Sequence, residues 1–149
     1  MQHFKEELML FFVMFMISLC VDSMNIMVYS IKDIYFSKAL IISSLYMAST
    51  MMGAHQIVHY LSYGHLKKHI FALGIGMSLL FFYVLRTQMF IKPKDWLREM
   101  IPHHSTAITT TSQLLKNNQF DPNSPIYKLA NQILETQKNE IKVMKDLLV

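Results

Sequence analysis

The stretch LMLFFVMFMISLCV, residues 8–21, holds fourteen consecutive residues without a charge. After Asp22 the apolar character resumes through SMNIMVYSI to Ile31. At 1.5 Å per residue these about 24 residues make a helix long enough to cross a hydrocarbon core of roughly 30 Å. A signal peptide is the rival reading, but no small-residue cleavage site follows and two further apolar segments do. Ala39 to Leu66 contains no Asp, Glu, Lys or Arg, and Ile70 to Leu85 is uncharged before Arg86, which can snorkel toward an interface. The pattern predicts three transmembrane helices, with spans at about 8–31, 39–62 and 70–91. The short connections IKDIYFSK and GHLKKH make neighbouring spans antiparallel.

Working outward from the spans, the charges are uneven. Residues 1–90 carry 10 of the 24 Asp, Glu, Lys and Arg, and the last 59 carry 14, so the apolar region 1–91 precedes a polar region 92–149. In a chain of 149 residues this is a membrane anchor followed by a small domain. An odd number of spans places Lys5, Lys67 and Lys68 on one side and Lys32, Lys38, Lys92, Lys94 and Arg98 on the other. The count favours a cytoplasmic tail, the tight GHLKKH turn favours the reverse, and the orientation stays open. The net charge of +4 is dispersed, with no basic run and no interleaved aromatic platform, which argues against nucleic acid as a partner. The single Cys20 excludes an intrachain disulfide framework. Thirteen methionines supply adaptable packing and soft thioether ligands that suit Cu(I).

Beyond Phe90 the pattern becomes that of soluble amphipathic helices. KPKD offers a proline and an Asp95 N-cap, NNQFDPNSP is dense in turn formers, and a second helix is predicted from Ser124 with Pro125 at its first position. Ile126, Leu129, Ile133, Ile141, Met144 and Leu148 recur at helical spacing, which makes residues 92–149 a helical hairpin. With the turn near Asp121, reflection across it places His104 opposite about residue 138 and Met100 opposite about residue 142, a window that contains Gln137, Glu140, Ile141 and Met144. In REMIPHHSTAI, Met100 lies one turn before His103 and His104. Adjacent histidines point about 100° apart on a regular helix, so both serve one ion only if Pro102 distorts the backbone. Otherwise one binds and the other orients, or a second chain completes the site. Imidazole, thioether and carboxylate together suit copper, silver or zinc, the thioethers favouring Cu(I). A solvated or hydrogen-bonded structural pair is the alternative. No nucleophile or substrate pocket is evident and Glu-x-x-His motifs are missing, so an enzyme is not expected.

REMIPHHSTAI followed by LANQILETQKNEIKVMKDLL resembles the domain-of-unknown-function 305 family. The likeness falls on Met100, Pro102, His103, His104, Ala107, Ile108, Leu129, Ala130, Ile133, Gln137, Glu140, Ile141 and Met144. Upstream, SLYMASTMMGAH and FFYVLRTQMFI look like spans of the membrane-anchored members, which carry three apolar helices before one hairpin. The resemblance implies an all-α fold in which the hairpin is half of a ferritin-like four-helix bundle, and a copper- or silver-handling role. Two departures stand out: STAITTTSQLL replaces a more aliphatic or Met-rich run, and His55 and His59 stand where methionines are more usual in the family.

That substitution draws attention to the membrane region. Met47, Met51, His55 and His59 recur every fourth residue on the second span, and Met16, Cys20, Met24 and Met27 recur at helical spacing on the first, as two soft-ligand stripes able to face each other. The reading is an integral, multi-pass membrane protein that binds Cu(I) or Ag(I) through Met100, His103, His104, Glu140 and Met144, with a second intramembrane set at Met47, Met51, His55 and His59. The expected partners are the bilayer, a metal ion and further copies of the chain, since one hairpin leaves an apolar face uncovered. The competing reading is a non-catalytic structural or interaction protein whose hairpin oligomerises and whose histidine pair is structural.

Overall fold

The computed structural model describes residues 2–149, with side chains from residue 4 onward. The chain is all-α. In order come α1 (Gln2–Cys20), α2 (Ser23–Ile26), a one-turn 3-10 helix (Ile31–Asp33), α3 (Lys38–Tyr63), α4 (Lys68–Thr87), α5 (Pro93–Asn117) and α6 (Pro125–Asp146), with no strand among the described residues. Two compact units result. One takes the chain up to Val21 together with Lys38–Ile91, and the other takes Asp22–Ser37 together with Lys92–Val149.

In the first unit α3 packs against both α1 and α4. The α3–α4 pair is antiparallel, with Thr50 Oγ1 2.8 Å from Ser78 Oγ and the Tyr46 ring 6.2 Å from that of Phe82. Small residues let the two backbones touch: a Cβ built on Gly74 would lie 2.8 Å from the Gly53 nitrogen and 3.2 Å from the Ser49 carbonyl oxygen. This is how apolar helices associate where lipid removes the hydrophobic drive between them. The polarity of α3 is inverted relative to a water-soluble helix. Ser44, Ser49 and Gln56 are fully buried, whereas Ile41, Met47, Ile57, Val58 and Leu61 face outward.

Two segments, Phe4–Ile26 and Lys68–Thr87, are long and apolar enough to cross a bilayer, and only 6% and 11% of their apolar windows are buried in the structure. A core helix of a soluble protein would be mostly buried. The helix Lys38–Tyr63 coincides with the expected second span but is not apolar enough to qualify alone, because it carries serines, a threonine, Gln56 and two histidines.

The first span is not one uninterrupted helix to Ile31. It ends at Cys20, because the Asp22 side chain accepts the Asn25 backbone N–H at 3.0 Å and caps a new four-residue helix. Residues 22–37 then belong to the second unit. There they form a strap along the hairpin, so the first connection is longer than IKDIYFSK. Asn25 closes it by exchanging two side-chain hydrogen bonds with the Tyr35 backbone, both of 3.2 Å.

The hairpin core is Leu97, Ile101, Ile108, Ile141 and Met144, and Tyr35 of the strap packs on it with Met100, Leu134 and Leu148. Full burial of each such side chain contributes about 1.5–3 kcal/mol. Helix α6 starts at Pro125, with Ser124 as N-cap accepting the Tyr127 N–H. Helix α5 starts three residues earlier than an Asp95 cap implies: Pro93 takes the first position with its φ already set, and Asp95 instead accepts the Lys92 N–H at 3.2 Å.

Candidate functional site

The antiparallel pairing of α5 and α6 brings His104 to Glu140, with Nδ1 3.0 Å from Oε2. The approach is not aligned as a hydrogen bond, and Nδ1 is buried without a hydrogen-bond partner. Both residues and Met144 line a cavity of about 510 Å³ with Trp96, Leu97, Asn139, Val143 and Leu147. Imidazole nitrogen, carboxylate and thioether therefore share one apolar-walled recess on the hairpin.

Met100 and His103 do not line it. Met100 packs against the hairpin core, and His103 is exposed, its ring centroid 5.8 Å from that of His104 and tilted by 59°. Pro102 lies buried inside an α5 that continues through it, so it does not swing His103 into the recess. Among the described residues, no three His, Cys, Asp or Glu side chains are grouped to hold a metal ion.

The back of the hairpin is held by residues absent from the sequence-level site. The Ser105 hydroxyl donates to Asp33 Oδ2 at 2.6 Å and accepts the Tyr29 N–H at 2.8 Å, and Lys145 is ion-paired with the other Asp33 oxygen. The Thr106 hydroxyl donates to the Met24 carbonyl at 2.8 Å. Asp33 is only 4% exposed and thereby bridges α5 and α6 one residue after His104 and Met144 respectively. Its sequence signal was an acid beside Lys32 in the connection IKDIYFSK.

In the first unit the expected soft-ligand stripes do not meet. Met16, Met47 and Met51 are 55%, 50% and 38% exposed, and Cys20 is exposed as well. His55 turns instead to Glu7 of α1, which is 4% exposed, with Nδ1 3.2 Å from Oε2. The same carboxylate accepts Gln56 Nε2 at 2.7 Å and Lys67 Nζ at 3.4 Å. Reading the first span from Leu8 left Glu7 just outside it, although a charge at the head of an apolar run was the available signal.

The domain of unknown function DUF305 matches residues 91–148, a span that holds α5, α6 and the whole recess. The chain is also similar to "Uncharacterized protein L153" of Acanthamoeba polyphaga mimivirus, 35% identical over 130 residues that cover 85% of this chain and 81% of the relative. It belongs to the same family as that protein, with a C-terminal DUF305 domain. No solved structure matches it.

Proposed function

We propose that this is a three-span integral membrane protein whose hairpin binds a soft metal ion, Cu(I) or Ag(I), through His104, Glu140 and Met144. The observation that carries the reading is the buried Nδ1 of His104, which makes no aligned hydrogen bond and lies 3.0 Å from a carboxylate oxygen in a recess that a thioether also lines. A cation bound by this nitrogen and the neighbouring carboxylate would satisfy both groups. The thioether directs the choice toward soft cations. Glu140 supplies the negative charge, and Trp96, Val143 and Leu147 give the recess apolar walls.

The membrane assignment rests on connectivity as well as composition. The strap 22–37 and the hairpin form one compact unit, so both ends of the intervening segment 38–91 lie on one side of the bilayer. That segment must cross an even number of times. If α4 crosses, as its length and apolarity allow, α3 crosses too, its polar face turned inward and its apolar face toward lipid.

The test is titration of the detergent-purified full chain with Ag(I), followed by thermal unfolding. Bound ion should raise the melting temperature. His104→Ala and Met144→Leu should each weaken binding at the hairpin, whereas His103→Ala should not. A folded H104A protein with unchanged hairpin occupancy would sink the assignment. The second reading, an interaction protein, is favoured by Trp96, Val143 and Leu147, which rim the recess at 49%, 56% and 62% exposure. It predicts concentration-dependent self-association that Trp96→Ser abolishes and that Ag(I) does not alter.

A further inference from the structure

His55 and His59 stand four residues apart on α3, a spacing that puts both rings on one face. In each ring the same nitrogen is occupied. Nδ1 of His55 lies 3.2 Å from Glu7 Oε2, and Nδ1 of His59 lies 2.9 Å from the His65 carbonyl oxygen. A carbonyl oxygen only accepts. Glu7 already accepts from the Gln56 amide and the Lys67 ammonium, so it too acts as an acceptor toward His55. The Gln56 amide also lies 3.5 Å from Nδ1 of His55, but the shorter contact to Glu7 favours a proton on Nδ1, as the carbonyl does in His59, and no hydrogen bond among the described residues engages either Nε2. A carboxylate or carbonyl behind Nδ1 is the arrangement that orients metal-ligating histidines and raises their basicity.

The two rings open into one cavity of about 570 Å³ between α1 and α3, also lined by Met9, Leu10, Glu6, Glu7, Tyr63 and Lys67. Met9 is 63% exposed and unbranched, so its thioether is free to turn toward the rings. We propose that Nε2 of His55, Nε2 of His59 and the sulfur of Met9 form a second soft-metal site, separate from the hairpin and specific for a monovalent d10 cation. Two imidazoles and a thioether suit Cu(I) or Ag(I) rather than a hard divalent ion. Glu7 is a positioning residue: it fixes the His55 tautomer from behind. The third donor comes from α1, so the ion ties α1 to α3 near the ends where the helices meet water. Met47 and Met51, which share the helix with both histidines, line no part of the cavity.

The experiment begins from the full chain in detergent carrying Cys20→Ser, His104→Ala and Met144→Leu, so that the exposed thiol and the hairpin are silenced and hairpin binding is scored separately. Equilibrium dialysis against Ag(I) should leave one equivalent bound, and His55→Gln/His59→Gln should remove it. Met9→Leu, which keeps the apolar volume, should weaken it at least about tenfold. Glu7→Gln should weaken it about 10–100-fold. Met47→Leu/Met51→Leu should match the parent. On Ag(I) addition the 15N resonances of both Nε2 atoms should move, and Glu7→Gln should change the His55 tautomer signature before any metal is added. The proposal is overturned if the folded double-histidine variant keeps its silver, if Met9→Leu binds like the parent, or if neither Nε2 resonance responds.

Discussion

Pro102 removes the hydrogen bond that would reach the Arg98 carbonyl, yet α5 runs unbroken from Pro93 to Asn117. Arg98 is exposed, so water can take over its carbonyl, and the two imidazoles stay divergent. That is why one histidine, not two, reaches the recess. Glu99 sits beside this pair, and burial pushes its carboxyl above the usual carboxylate range against the opposing pull of His103. Its folded form binds a proton more tightly than its unfolded form. Stability of the metal-free protein should therefore fall as pH rises from the ordinary carboxylate value through the raised one, and level off above it. Glu99→Gln should flatten that limb in denaturant melts taken between pH 4 and pH 7, and an unchanged slope would contradict the assignment. Asp33 should matter more. Replacing it by Ala strands Lys145 and the Ser105 hydroxyl, with an expected loss of about 3 kcal/mol in hairpin stability, partly recovered when Lys145→Met is added. Calorimetry of the single and double variants checks both halves of that statement. A short turn and helical periodicity set the register of a hairpin to within about a turn, which put residue 138 opposite His104 and Glu140 among four candidates in the facing window; which of them His104 meets was not legible. Nor was the failure of His103 and Met100 to join them, since sequence spacing does not say whether a helix tolerates its proline.

Among the elements, α3 shows how far periodicity can be trusted. Its boundaries were readable from the uncharged run, but its hydropathy is diluted by Ser44, Ser49 and Gln56, which face inward. Only their burial explains why a less apolar helix presents an apolar exterior. The contact with α4 depends on Gly74, where any side chain meets the backbone of Gly53 rather than a movable rotamer. Gly74→Ala should push the helices apart and cost about 1–3 kcal/mol, whereas Gly76→Ala, which faces open space, should be neutral or stabilising through its helix propensity. Thermal unfolding of the two variants in the same detergent separates them. The α1–α3 connection was read as part of a span because SMNIMVYSI is apolar. It is apolar because it covers the hairpin: Tyr35 packs on the core, and the strap backbone meets Ser105 and Thr106.

For the whole molecule, the strap turns a question of hydropathy into one of topology. With Cys20 replaced by Ser, single cysteines introduced at the exposed positions Lys32, Lys116 and Lys68 can be labelled in sealed vesicles with a membrane-impermeant maleimide. Lys32→Cys and Lys116→Cys should react from the same side and Lys68→Cys from the other. Labelling of positions 32 and 116 from opposite sides would rule out the three-span arrangement. The sequence carried the third span to residue 91, whereas α4 ends at Thr87. By itself it determined the helical class, the extent of α3 and the hairpin. Each follows from local periodicity, turn chemistry and chain connectivity over short distances. The tertiary structure alone decided what covers what. Asp33 meets Ser105 across 72 residues and Lys145 across 112, and Glu7 meets His55 across 48. A helical repeat specifies which face of a segment is apolar or polar, but the partner that satisfies a buried charge is chosen by packing between elements far apart in the chain.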